Sequence, residues 1–297
     1  MNNLKIRIDR RTSALWWLLC GLSLLSLVYL VKTLSRELQA MPLISLYILL
    51  ICVAGGVLVF GIFVLIDRSG LRKDKNNRII WIDSLIFGGL VGPLLAVRIN
   101  GEISRVFPAV IGLDFYKQWG EAIFGPMSEE WIKLVITLAV ILLYRKWIVR
   151  PMHAFFVGAF VGLGFQLTED FWFSVRAAFE DVDSDLTGGI TLSVFRVLFG
   201  VVSHWTYTGI AAIGLCYLLN IGKVSEKYSV RIFTACGFFL LSLSLHGLWN
   251  SPITFGVSDA IAPLGRLLMI IIIFFVFARW LCKKEKAAVM EKNGDFS

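Results

Sequence analysis

The sequence predicts an all-α, polytopic membrane helix bundle of about eight transmembrane helices with both termini cytoplasmic, and three observations carry that prediction. Of the 297 residues, 57% are apolar and only 17% charged, less charge than a soluble domain of this size carries. Mean hydropathy is +0.76, and eight apolar runs reach the roughly 18 residues that mark a spanning helix. The basic residues alternate in density from one connecting segment to the next. Twenty fall on the side assigned to the cytoplasm and six on the other, the asymmetry that orients membrane proteins. The formal charge of +8 is therefore a topology signal facing anionic headgroups and gives no ground for nucleic-acid binding.

Each element follows in order. The first run, 14–31, comes after the basic leader Lys5, Arg7, Arg10 and Arg11. No small-x-small cleavage pattern follows it, so it reads as a signal anchor. Leu18 and Leu19 are too bulky for Cys20 to be a lipoprotein cysteine. Runs 43–66 and 79–97 are plain apolar stretches separated by a basic loop. Segment 98–121 contains Gly101, Pro108, Gly112 and Gly120 and is expected on the outer surface as loop and short interfacial helix. Run 122–144 re-enters and ends at Arg145, Lys146 and Arg150. That run and runs 153–175, 190–219 and 230–250 hold the ionisable residues and are less hydrophobic, as bundle-interior helices tend to be. Run 260–282 closes the set before a basic tail.

Cys52, Cys216, Cys236 and Cys282 lie in or at the ends of apolar runs, so no disulfide framework is implied. There is no repeat, phosphate-binding glycine loop or His-Glu-x-x-His zinc motif. The expectation is one polytopic membrane domain over 1–297, with a core at about 122–250 and extra helices at 14–97 and 260–282.

Charges at the centre of a spanning helix cost roughly 2.5–3.5 kcal/mol each on insertion scales, and the core contains several. Glu129, Glu130 and Lys133 occupy one turn of the fourth run; Glu129 and Lys133 are i,i+4, so they meet on one face. In the fifth, Gly158, Gly162, Phe165 and Glu169 form one stripe, and glycines four apart let a neighbouring helix approach closely. The sixth carries Arg196 and His204, the seventh His246 and Asn250 one turn apart. At 1.5 Å per residue, four runs bring carboxylates and imidazoles to the outer half of the bilayer. Singly, each has an ordinary explanation. Pro126 and Ser128 resemble a helix start that Glu129 and Glu130 would cap, and a lone histidine is commonly a satisfied core residue. Arg196 and Arg266 default to pairing with a carboxylate or a lipid headgroup. One polar site accounts for Glu129, Glu130, Glu169, His204 and His246 together.

"PMSEEWIKL", "FQLTE", "SHWTYTG" and "HGLWN" resemble, in order and on four successive runs, the Glu-Glu-x-x-Lys, Phe-x-x-x-Glu, His-containing and His-x-x-x-Asp/Asn motifs of the PrsW family of intramembrane proteases. That family is related to the CAAX prenyl-endopeptidase and bacteriocin-processing membrane proteases. The resemblance implies a hydrolase of the glutamic-peptidase type in a bacterial cell membrane, without a metal cofactor. It implies a membrane-anchored protein substrate, and in the named member site-1 cleavage of an anti-sigma factor. The residues suit peptide hydrolysis, which needs a base, an acid and oxyanion donors. Glu129 or Glu130 would be the base, with Glu169 sharing the water. His204 and His246 would be oxyanion donors or proton shuttles, Asn250 would orient His246 or donate to the oxyanion, and Lys133 would keep one glutamate ionised.

Three other readings remain open on the residues alone. Two histidines and two or three glutamates are also zinc ligands in type. Intramembrane Glu, His, Lys and Arg build proton-coupled transporters, although the polar residues here have no counterpart in the first three runs, where a repeat would place them. A non-catalytic membrane scaffold or substrate-binding relative is the third.

Overall fold

The computed structural model describes residues 13–68, 78–181, 185–224, 227–258 and 260–293, which form helices and turns with no strand among them. In chain order these are α1 (Ala14–Thr33), α2 (Ser35–Ala40), α3 (Pro42–Arg68), α4 (Arg78–Ile111), α5 (Leu113–Leu143), α6 (Pro151–Glu180), α7 (Asp185–Phe199), α8 (His204–Leu218), a 3₁₀ turn (Ile221–Lys223), α9 (Tyr228–Asn250) and α10 (Ala262–Asn293). Proline opens α3 and α6 at the position where its missing N–H leaves no bond unmade. The basic residues Lys5 to Arg11 and Arg72 to Lys75 lie outside the described residues.

Six of these helices (α1, α3, α4, α6, α9 and α10) are long and apolar enough to cross a membrane, and α7 with α8 forms a seventh, bent candidate. The remaining expected run lies in α5, which is 31 residues long. Its apolar stretch carries Glu129, Glu130 and Lys133, all buried. The chain is a polytopic membrane helix bundle.

Two expectations need correction. Segment 98–121 is not a loop: α4 continues as helix to Ile111, and α5 begins at Leu113. The break is Gly112 alone, whose φ of 91° only glycine adopts cheaply. Phe107 and Tyr116 both pack on Phe124, at 4.3 and 6.1 Å between ring centroids, and close the hairpin. Gly101, Pro108 and Gly120 therefore sit inside helices. Second, run 190–219 is not one helix. It stops at Phe199 and restarts at His204 with a bend of 40°. The carbonyl of Gly200, released from the helical ladder, accepts from Gln166 Nε2 at 2.9 Å and Ser203 Oγ at 2.7 Å. Such a break is tolerated at membrane depth because protein groups satisfy the freed backbone.

Helix α6 is the axis of the bundle. Its most apolar window is 83% buried, against 50% or less in the other single spanning helices. Glycine makes this closeness feasible. A Cβ on Gly164 would lie 2.0 Å from the Leu85 carbonyl of α4, and one on Gly162 would lie 2.3 Å from the His204 carbonyl of α8. Contacts between helix ends agree with an alternating up-and-down path. At one end, Met152 N–H donates to Glu285 Oε1 (2.6 Å), Arg145 to the Leu219 carbonyl (3.2 Å) and Arg231 to the Leu218 carbonyl (2.7 Å). At the other, Arg266 joins α10 to the Trp249 and Ser251 carbonyls.

Candidate active site

Helix α5 presents the acidic pair from its interior. Because α5 starts at Leu113, Pro126 and Ser128 lie within the helix, and the glutamates do not cap its first turn. Helical periodicity brings Lys133 beside both: its Nζ is 2.6 Å from Glu130 Oε1 and 3.7 Å from Glu129 Oε2. The ammonium also lies 2.8 Å from His204 Nδ1 and 4.4 Å from the centre of the Phe165 ring. Phe165 is thus one wall of the site, with a cation–π contact to its charge.

His204 reaches the cluster because the bend places it as the first residue of α8, drawn against α6 at Gly162. Its Nδ1 faces the lysine donor, so Nε2 carries the hydrogen and donates to Glu169 Oε2 at 2.9 Å. His246, on α9, has Nδ1 2.8 Å from Glu130 Oε1. Its Nε2 lies 3.8 Å from Glu129 Oε2. The two imidazoles meet edge to face at 4.9 Å, and Tyr207 stacks on His246 at 5.3 Å.

The two adjacent glutamates have different surroundings. Glu130 is saturated: Lys133 and His246 hold Oε1, and Ser242 Oγ donates to Oε2 at 3.0 Å. Among the described residues, Glu129 Oε1 receives only Asn100 Nδ2, at 3.3 Å, and Oε2 is buried without a hydrogen-bond partner, with the Lys133 ammonium 3.7 Å away. Glu129, Glu169 and Asn250 line a cavity of about 740 Å³ bounded by α1, α4, α5, α6, α7 and α9. Glu130, Lys133, His204 and His246 lie behind that lining. Asn250 does not bond His246; its Nδ2 donates to the Glu121 carbonyl at 3.3 Å.

All seven expected site residues, Glu129, Glu130, Lys133, Glu169, His204, His246 and Asn250, converge on this one region. Arg196 joins them as the partner of Glu169 (2.8 Å) and Asp170 (2.6 Å), the carboxylate pairing that was its default expectation. Asn100, Ser128 and Ser242 were not foreseen as site residues. Ser242 precedes His246 by one helical turn, and that spacing was available in the sequence. Asn100 stood in a segment expected to be surface loop, and nothing local marked it.

Glu129, His204 and His246 each offer one ligand atom within 4.8 Å of the others, a set able to hold a metal ion. A carboxylate with two imidazoles is a recurrent zinc donor set, and the tie from His246 Nδ1 to Glu130 is the outer contact such a ligand commonly has.

Comparison with protein-family models matches residues 77–280, well over half of the chain, to a family described as PrsW family intramembrane metalloprotease. No curated protein and no solved structure matches. The matched stretch extends beyond the four motifs to include α4 and most of α10.

Proposed function

The chain belongs to the PrsW family of intramembrane metalloproteases, and we propose that it hydrolyses a peptide bond of a membrane-anchored protein with a water activated by Glu129. The observation that carries this reading is Oε2 of Glu129, buried and without a hydrogen-bond partner among the described residues, 3.8 Å from His246 Nε2 and on a side chain that lines the cavity. Two acceptors so placed fit a water donating one hydrogen to Glu129 Oε2 and one to His246 Nε2. Glu130 is fully engaged by donors and serves instead to fix His246 and Lys133.

The steps follow from the remaining contacts. Glu129 removes a proton as the water oxygen attacks the scissile carbonyl. Asn250, on the cavity wall, would donate to the developing oxyanion the amide hydrogen not given to the Glu121 carbonyl. The proton held by Glu129 then passes to the leaving nitrogen. Lys133 is the resident cation, and in this reading no metal is needed. The substrate is a single-span membrane protein cut near the outer face of the bilayer. An anti-sigma factor is the substrate that the family resemblance suggests.

A second reading rests on the donor set. Glu129, His204 and His246 would hold a divalent metal, which when bound would polarise the water and the scissile carbonyl. Glu130 and Glu169 would orient the two histidines. Lys133, now on His204 Nδ1, would have to turn aside.

The purified protein, reconstituted with a tagged single-span reporter, decides between them. The expected result is cleavage by the wild type that survives a chelator and is lost in Glu129→Gln, with bound metal well below one equivalent. One equivalent of zinc, with activity lost on chelation and restored by zinc, would replace the first reading with the second. Cleavage by Glu129→Gln equal to wild type would end both.

A further inference from the structure

We infer that Arg196, on α7, and the second carboxylate oxygen of Glu169, on α6, form a two-point clamp for the main chain of one extended substrate residue. The inference deepens the peptidase reading and rests on it. Arg196 spends one edge of its guanidinium inside the protein: Nε donates to Asp170 Oδ1 at 2.6 Å and Nη2 to Glu169 Oε2 at 2.8 Å. Its third nitrogen, Nη1, has no hydrogen-bond partner among the described residues. Glu169 is used just as unevenly. Its Oε2 takes both Arg196 Nη2 and His204 Nε2, at 2.8 and 2.9 Å, while Oε1 accepts from none of the described residues. Both side chains line the cavity, and neither Nη1 nor Oε1 is a buried atom. Asp170 is itself buried, and the Phe173 ring lies 5.0 Å from the guanidinium carbon, so the fork is held from its edge and its face.

The Nη2–Oε2 bond therefore holds one free donor and one free acceptor side by side on the cavity wall. That pair matches what a single residue of an extended chain offers. In a strand the N–H and C=O of one residue point to the same edge, where a neighbouring strand engages both. Here Nη1 donates to the carbonyl and Oε1 accepts from the N–H. A residue inside a helix offers neither group, because both are bonded within the helix. The clamp thus takes only chain that has left its helix, which is the form that hydrolysis needs. A substrate carboxylate suits the place less well, since it would meet Glu169 as a like charge, whereas a peptide group is neutral. His204, on the same Glu169 oxygen, lies 4.0 Å from Glu129 Oε2, so the clamp stands next to the proposed base.

Arg196 also reads as a counter-ion alone, there to neutralise Glu169 and Asp170. That role touches no substrate, so changes to the substrate main chain and to Arg196 would act independently. The probe is a synthetic reporter with one apolar span of about 20 residues, cut by purified protein in liposomes. Each amide near the cut, the scissile one excepted, is replaced in turn by an ester. An ester at the bond before a residue removes its N–H, and one at the bond after it weakens its carbonyl as an acceptor. The clamp predicts two consecutive sensitive bonds with the wild type, each ester lowering kcat/KM about 3- to 10-fold, the scale of one hydrogen bond to a charged group. Arg196→Lys keeps the positive charge and loses the planar fork. With that variant the all-amide reporter should show a raised KM, and the ester after the clamped residue should lose its penalty. Equal penalties at every bond with the wild type and Arg196→Lys would overturn the clamp. A wild-type scan without two consecutive sensitive bonds would overturn it too, whether or not the variant folds. Either result leaves the peptidase reading standing. An all-amide reporter left intact by the wild type counts against that reading, and the clamp falls with it.

Discussion

Glu129 and Glu130 are neighbours in sequence with different surroundings, and the proposed reaction gives them different duties. Glu130 neutralises Lys133, holds His246 and accepts from Ser242. Breaking a buried pair by removing one charge costs about 3–5 kcal/mol, so Glu130→Gln should lower the unfolding temperature in detergent as well as activity. Glu129→Gln keeps the shape and the Asn100 contact, so it should abolish cleavage with little change in that temperature. Differential scanning fluorimetry alongside reporter cleavage checks both; equal thermal losses would contradict the division. The identity of the polar residues was legible in the sequence because each is expensive inside a membrane. The difference in their surroundings was not. It depends on which carboxylate oxygen meets Ser242, on α9, and which meets Asn100, on α4, and neither spacing is local.

The elements show the same contrast. Helices α1, α3, α6 and α9 fall where the apolar runs predicted them, because length and apolarity decide a spanning helix. The glycine stripe of α6 was legible as a close-approach face, and it is the surface that admits His204. Two errors came from glycine and proline. In 98–121 three glycines and a proline suggest breaks, yet only Gly112 breaks. In 190–219 a break at Gly200 went unread, because its cost is met by Gln166, whose side chain arrives from another helix. The α6–α8 approach should be intolerant of added volume. Gly162→Val is expected to cost about 1–3 kcal/mol or more and to reduce cleavage by displacing His204. Gly61→Ala, with no atom within 4 Å of its new Cβ, should be neutral or slightly stabilising. Thermal unfolding and reporter cleavage of the two variants test this; a neutral Gly162→Val would mean that α8 is not held by that contact.

At the scale of the molecule, alternation of the helices and the basic asymmetry jointly predict an orientation for the site. Reporter fusions after Lys146 and Gly222 should read cytoplasmic, and those after Arg105 and Ser258 external. The reverse pattern would place the cavity in the inner leaflet. The α4–α5 hairpin contributes Asn100, Gly101, Ser104, Tyr116 and Glu121 to the cavity wall. It therefore stands where a gate over an external approach would be. A substrate helix cannot offer carbonyls already bonded within it, so the cut should fall at its external juxtamembrane stretch or in a frayed, Gly-, Pro- or Ala-rich outer turn. The most direct measurement is mass-spectrometric mapping of new termini in membranes that contain a single-span substrate with either the wild type or Glu129→Gln. The prediction is a set of termini at the external end of the span that is present with the wild type and absent with Glu129→Gln. The same termini appearing with Glu129→Gln would contradict a Glu129-activated hydrolysis, and termini confined to the cytoplasmic half would contradict the placement of the site.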